Sequence, residues 1–310
     1  MGFDLYAVGG WSRASDQFLM GKGFNVLYSQ KYYRSSISRW IENADENPDK
    51  AGRLFVDSSA YGAWTRNAVI DIDDYIGFLN NNAGKFSVIA SLDVIPGRKG
   101  EQSTRQQVKD ASEQSWENYL YMYEQMIDKD ELIPVFHVGE PWDALHRILE
   151  HRHPNGSPIK YMGLGGLVGV PKEFRLKWLD SVWDIILSSS NPDIKTHAFG
   201  VTMLDILERY PFASADSGSA GRAGTVGFIL SPHGIINLSE RLGGMAAFNK
   251  LPKEAKDLIL SLMERTGVGM TIEELIASKD YRIMVNFQYL SDWVKTYRYK
   301  PRPQKQRRLF

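Results

Sequence analysis

The chain contains no cysteine, which excludes disulfides and every thiolate metal site. Its 37 basic and 37 acidic side chains leave no net charge, so the whole-protein field does not draw in a polyanion. No apolar run approaches the ~20 residues of a membrane span. The stretch from Met1 to Ser12 has neither a basic region nor a long apolar core, so secretion is not expected. Met1-Gly2 is not a myristoylation signal, because Tyr6 stands where Ser or Thr is required. A soluble, cytoplasmic protein with no membrane partner is expected. What is present suits an average globular protein: 310 residues, 43% hydrophobic and 24% charged, enough to bury a core without covalent staples.

Charge is less even along the chain than in total. After Asp292 no acid follows, whereas Lys295, Arg298, Lys300, Arg302, Lys305, Arg307 and Arg308 do, interleaved with Tyr297 and Tyr299. Two readings stay open. One is a solvated terminus. The other is a phosphate-contacting arm, with Lys295, Arg298, Lys300 and Arg302, joined by Arg222, as the nucleic-acid-binding residues.

Eight short β-rich runs recur, at 4–8, 25–29, 53–56, 87–92, 132–138, 160–164, 195–200 and 211–215. Several are almost continuously apolar, as strands of a parallel sheet covered on both faces should be. Helical pattern lies between them, as in 103–127 with Trp116, Tyr119, Tyr121, Met122 and Met126, and in the segment opened by Pro171 with Phe174, Trp178, Val182, Ile185 and Ile186. These stripes are expected to be core. Strands and helices alternating in this number predict an α/β protein, a (β/α)8 TIM barrel over 1–224. A doubly wound dinucleotide fold fails, because Gly163-Leu-Gly-Gly-Leu-Val-Gly169 comes late and puts Val168 where the third glycine of GxGxxG belongs. After Thr225 the pattern is helical (253–265, 272–278, 281–297), with a capping box from Thr271 to Glu274. Residues 225–310 are expected to be a helical extension with a basic tail, within the same domain.

Chemistry in this fold sits at the carboxyl ends of the strands. There the sequence places Asp57, Asp93, His137, the glycine run from Gly163, Phe199-Gly200, and Asp216. An acid at the barrel mouth is open to pKa shifts by burial and by its neighbours. The plain alternative for each is a helix cap or an Asx-turn. His146, His151 and His153 suggest metal, but the first two do not share a helical face and no acid or cysteine completes a ligand pattern. No metal and no cofactor are expected.

These residues resemble a known family. Asp57-Ser-Ser-Ala-Tyr61 is similar to the Asp-Ser-Gly-Gly-Tyr/Phe segment of tRNA-guanine transglycosylases, and Ser91-Leu-Asp93 to their Phe-Asp at the next strand end. Gly165-Gly-Leu-Val168 resembles their Gly-Gly-Leu-Ala, His197-Ala-Phe-Gly-Val201 their Leu-Met-Gly-Val, and Ala215-Asp216 falls where they have Phe-Asp-Cys. The matches run in the family's order across about residues 50–220. The resemblance implies a glycosyltransferase that exchanges a guanine base, with Asp216 as nucleophile on the anomeric carbon and Asp57 as general acid/base. It also implies that Asp93 and the main chain of Gly165, Gly166, Leu167 and Val168 hold the purine edge, with His137 and Gly200 beside them. Tyr61 and Phe199 would sandwich the base. Such chemistry needs a carboxylate to trap an oxocarbenium-like centre and a second to shuttle protons.

The departures narrow the expectation. The family's zinc site of three cysteines and a histidine cannot exist here. The glutamate that follows the bacterial Gly-Gly-Leu-Ala-Val-Gly is replaced by Val170-Pro171, which disfavours an aminomethyl base and favours a nitrile or formamidine 7-deazaguanine (preQ0-like). His137 stands in place of a glutamine, and the Pro-Thr-Arg after the nucleophile is missing, which disfavours an anticodon loop. The nearest resemblance is to phage-type DNA transglycosylases, so the expected partners are DNA rather than tRNA and a free 7-deazaguanine base, in a host cytoplasm if phage-encoded. Exchange in tRNA, an inactive nucleic-acid-binding barrel, and a metal-dependent barrel hydrolase remain as alternatives.

Overall fold

The computed structural model describes residues 2–201 and 203–300. Nine strands, β1 (Asp4–Val8), β2 (Val26–Ser29), β3 (Leu54–Asp57), β4 (Val88–Ala90), β5 (Leu132–Ile133), β6 (Val135–His137), β7 (Tyr161–Gly165), β8 (Lys195–Ala198) and β9 (Ser214–Ser217), form one sheet. It is parallel, in the order β5-β4-β3-β2-β1-β9-β8-β7-β6. The two ends of that order are separated in sequence by Pro134 alone, so β5 and β6 are pieces of one barrel strand. Proline has no N–H for a ladder. Here it marks a handover: Ile133 C=O accepts from Ser91 N–H on the β4 side, while Pro134 C=O accepts from Gly163 N–H on the β7 side. The sheet thereby curls into the TIM-like barrel that the alternation of elements predicts.

Alternation along each strand sorts side chains into two cores. Tyr6, Leu27, Phe55, Val88, Ala90, Ile133 and Val135 fill the barrel interior. Their neighbours Tyr28, Leu54, Val56, Ile89, Phe136, Leu164, Ala198 and Ala215 face the helices. Continuing the inward set to the strand ends brings Ser29, Asp57, His137 and Asp216 to the mouth. Gly163 is required in this interior, since a Cβ there would lie 2.4 Å from the Phe199 ring.

The helix expected from 103 runs Arg105–Gln125 behind a Thr104–Gln107 capping box, and Pro171 immediately precedes Lys172–Ser188. Trp178, Val182 and Ile186 are buried as expected, but Phe174 and Tyr121 are exposed, so the stripes are narrower than their spacing suggests. Among the described residues no helix is long and apolar enough to cross a membrane.

Beyond Thr225 the structure corrects the all-helical expectation. After the helix Ser219–Val226 comes an antiparallel hairpin, β10 (Phe228–Ser231) with β11 (Gly234–Asn237). Two apolar runs flank Pro232-His233, and Gly234 takes a positive φ of 115° that its side-chain-free backbone tolerates. Helices Lys253–Thr266, Ile272–Ala277 and Lys279–Thr296 follow, with the expected capping box at Thr271 and Glu274. The last of these packs between Ser219–Val226 and Arg13–Gly21, with Ile283, Val285 and Phe287 buried. Its buried Asn286 accepts from Leu230 N–H and donates to the carbonyls of Ala220 and Phe228, tying the hairpin to the wall.

Candidate active site

The barrel mouth brings Asp57, Asp93, His137 and Asp216 together with partners from neighbouring strand ends. At β3, Asp57 Oδ2 accepts from Ser29 Oγ of β2 at 2.9 Å and from Ser59 N–H at 3.1 Å. Ser59 turns that N–H backward by adopting φ 73°, an unusual conformation for a residue with a side chain. Asp57 thus does form the local turn that Asp-Ser sequences favour. Asp93, three residues beyond β4, accepts from Ser58 Oγ at 2.8 Å and from His137 Nε2 at 3.0 Å. The other imidazole nitrogen, Nδ1, meets Glu140 Oε1 at 2.9 Å, and Glu140 is held in turn by Ser112 Oγ. Gly165 lets the His137 ring lie across β7, because a Cβ there would lie 2.5 Å from the ring.

Asp216 is arranged differently. It does not cap the following helix, whose N-cap is Gly218. Its Oδ1 accepts from Gly200 N–H at 2.7 Å and faces His197 Nε2 at 3.3 Å. Gly200 has φ 64°, and Val168 packs over it so closely that a Cβ would lie 2.6 Å from Val168 Cγ2. The glycine loop after β7 therefore meets the end of β8 beside this acid.

Burial decides the proton inventory. Desolvation, followed by the charge of Asp93, pushes the Asp57 carboxyl up to about 7, against the Ser29 and Ser59 hydrogen bonds; Asp216 adds a smaller push. Burial would also raise Asp93, but hydrogen bonding to His137 and its charge hold that carboxyl below the usual range. Burial opposes charge on His137, yet its bonds to Asp93 and Glu140 outweigh it and carry the pKa up to about 10. His197 has no such pair of acids. Burial holds it below its ordinary value, and Asp216 offsets this only in part. One histidine is an imidazolium clamp and the other a neutral imidazole.

The remaining expected residues are placed unevenly. Gly166 and Val168 are exposed at the mouth, with the Leu167 side chain anchored in the core. Phe199 is partly buried and packs edgewise on Phe55 and His197. Tyr61 is 63% exposed beside Trp64. The two rings expected to sandwich a base thus sit in different surroundings, and Tyr61 offers the freer face. Arg222 is exposed on Ser219–Val226. Lys295, Arg298 and Lys300 lie far from the acids along the barrel axis. Tyr297 stacks on Phe3, which precedes β1, and Lys300 N–H bonds to Glu208 C=O near the end of a helix returning from the mouth. Lys295 pairs with Asp292, and Lys300 with Glu208. These three cations therefore sit at the amino-terminal end of the barrel. Arg302 lies outside the described residues.

Several site residues carried little sequence signal. Ser29 ends an apolar strand and was legible by the rule that exposed Asp57. Glu140 lies only three residues after His137 but outside any strand-end pattern, and Ser112 and Ser214 meet Glu140 and His197 only through folding. A cleft of about 770 Å³ opens beside Asp93, lined by Trp64, Arg66, Val69, Arg98 and Lys99. His151 and His153 pack on Trp116 and Tyr123, and among the described residues no group of three or more His, Cys, Asp or Glu is placed to hold a metal ion. The sequence matches no protein-family model and no curated protein.

The raised Asp57 pKa has a consequence for stability. The folded chain holds this proton more tightly than the unfolded chain, so the contribution is present at low pH and lost as pH rises through about 7. Asp57→Asn cannot ionise. Urea titrations should show its stability relative to wild type improving between about pH 4 and pH 7, and changing little outside that window. A difference independent of pH would refute the shift.

Proposed function

We propose that the chain is a pentosyltransferase that exchanges guanine in DNA for a 7-deazaguanine base, through a covalent glycosyl-enzyme intermediate. The observation that carries this reading is the pair of carboxylates with opposite equipment in one mouth. Asp57 is poised to hold a proton near neutrality, whereas Asp216 is held by Gly200 N–H and the His197 ring. In the forward half-reaction Asp216 attacks C1′, the C1′–N9 bond breaks with its electron pair leaving on the base, and Asp57 supplies a proton to that base. After guanine departs, Asp57 as carboxylate takes the N9 proton of the incoming 7-deazaguanine. N9 then attacks C1′ and Asp216 is released. Atoms and charge balance, and no redox partner is needed. Asp93, kept anionic by His137, is suited to accept from the N–H groups of the purine edge. The exposed backbone at Gly166 and Val168 lies on the β7 side of the same mouth.

Support for a polynucleotide comes from the cleft beside Asp93. Arg98 and Lys99 are exposed there, and Arg66 stacks over Tyr32 at 4.4 Å. Cations with aromatic neighbours at the mouth suit a strand whose target nucleotide is extruded into the site. In this reading the phosphate contacts expected of Lys295, Arg298 and Lys300 pass to Arg66, Arg98 and Lys99. A catalytically inactive barrel leaves the raised Asp57 and the anchored Asp216 without a use.

The decisive experiment incubates the protein with duplex DNA, single-stranded DNA and tRNA, each with labelled guanine, and resolves products on a denaturing gel. Wild type should incorporate label into DNA and form an adduct. Asp216→Ala should lose both, while Asp57→Ala should turn over ~10²–10⁴-fold more slowly. A full-strength adduct in Asp216→Ala would mean another nucleophile. Incorporation into tRNA alone would overturn the DNA assignment, and none into any polymer would overturn the activity.

A second test separates the two cationic surfaces. The slope of log affinity against log salt falls by ~0.7–0.9 per phosphate contact removed. Arg98→Ala/Lys99→Ala should flatten the slope for DNA, and Lys295→Ala/Lys300→Ala should leave it unchanged. The reverse result would return the role to the carboxyl-terminal arm.

A further inference from the structure

Below the mouth, hydrogen bonds continue from Asp216 into the barrel. His197 Nε2 lies 3.3 Å from Asp216 Oδ1, His197 Nδ1 lies 2.5 Å from Ser214 Oγ, and Ser214 Oγ is bonded to the Tyr161 hydroxyl. The imidazole is fully buried and walled by the rings of Tyr6, Phe55 and Phe199, the nearest centroid at 4.4 Å. The two ring nitrogens therefore depend on Asp216 and Ser214 for partners.

Burial disfavours a charged ring, and for a neutral ring donor counting leaves one arrangement. The Asp216 carboxylate only accepts, so Nε2 carries the proton. Nδ1 of a neutral ring then accepts, and the single Ser214 hydroxyl proton must point at it. Ser214 Oγ is left to accept from Tyr161. Every donor in Tyr161, Ser214 and His197 is thus aligned toward Asp216. Among the described residues, both hydrogen bonds to this carboxylate, from His197 and Gly200, fall on Oδ1, and none falls on Oδ2.

We propose that His197 is a positioning residue, held by Ser214 and Tyr161 as the neutral Nε2–H tautomer, which together with Gly200 N–H ties down Asp216 Oδ1 and leaves Oδ2 as the atom that attacks the sugar. This rests on Asp216 being the nucleophile. The two N–H groups hold the rotamer and spread the charge onto Oδ1, while Oδ2 keeps its lone pairs free. When Oδ2 bonds to C1′, Oδ1 becomes the ester carbonyl oxygen and retains both donors. The same contacts therefore serve the ionised carboxylate and the glycosyl ester, and no proton moves along the chain. Burial keeps the ring neutral, so the device needs no counter-charge.

The test uses full-length protein and two readouts. Imidazole nitrogen shifts at pH 7, assigned by comparison with His197→Gln, should show a protonated Nε2 and a bare Nδ1 for His197. Ser214→Ala, which removes the hydroxyl donor to Nδ1, should admit the other tautomer. In single-turnover adduct assays on DNA, His197→Leu should slow adduct formation by about 10- to 100-fold, the scale of one hydrogen bond to a charged group, with half-saturating DNA unchanged. His197→Gln, which can still donate to Oδ1, should recover most of the rate. Thermal melts identify a variant that has merely unfolded, and Ser214→Ala then carries the rate test. A Nδ1–H or doubly protonated ring in wild type overturns the proposal. So does a folded His197→Leu with wild-type adduct kinetics. If wild type forms no adduct on any polymer, the nucleophile reading fails and the Oδ2 assignment with it, while the nitrogen shifts report the tautomer independently.

Discussion

Three carboxylates at one narrow, half-buried mouth repel one another, and the ion pair between His137 and Asp93 makes their coexistence possible. The imidazolium there is stabilised by Asp93 on one nitrogen and Glu140 on the other, and Glu140 is itself steadied by Ser112. Removing one member would leave an uncompensated charge where water cannot reach it freely. The pair also sets the state of its neighbour. With Asp93 kept ionised, the desolvated Asp57 is denied a second nearby charge and holds its proton to about pH 7. Acid–base competence at β3 therefore draws on burial and on a clamp built between β4 and β6.

The other side of the mouth works by neutral polarity. Asp216 receives N–H groups from a backbone amide and a buried neutral ring, neither of which carries charge. Two histidines on inward positions thus have opposite protonation because one meets two acids and the other meets an acid, a serine and three aromatic rings. The same residue type is a counter-ion in one place and an oriented dipole in the other. This separation of charge from polarity is what allows two nearby carboxylates to differ in role.

Much of this was legible before folding. Short β-rich, largely apolar runs locate the strands within a few residues, and the rule that polar residues at strand ends face the mouth finds Asp57, Asp93, His137 and Asp216. The boundary of β9 was misplaced: Asp216 lies within Ser214–Ser217 rather than after a strand at 211–215. Its inward direction depends on that register, since Ala215 is packed against the helices. Partners distant in sequence were not legible, because Glu140 reaches Ser112 and His197 reaches Ser214 only through the closed barrel. Neither was the direction of the basic tail. Its composition suits phosphate, but the Lys279–Thr296 helix delivers Lys295 and Lys300 to the end opposite the acids. The 228–237 hairpin is hidden because its strands surround Pro232-His233 inside a segment that otherwise reads as helical.

Burial, reinforced by the charge of Asp93, leaves Asp57 half-protonated near neutrality. Carboxyl-carbon nuclear magnetic resonance, with the Asp57 signal assigned by the Asp57→Asn variant, measures this without substrate. The expected midpoint is about 7 in wild type, moving toward the ordinary carboxylate range in Asp93→Asn, where the nearest like charge is gone. A wild-type midpoint near 4, the value of an unperturbed aspartate, would contradict the account.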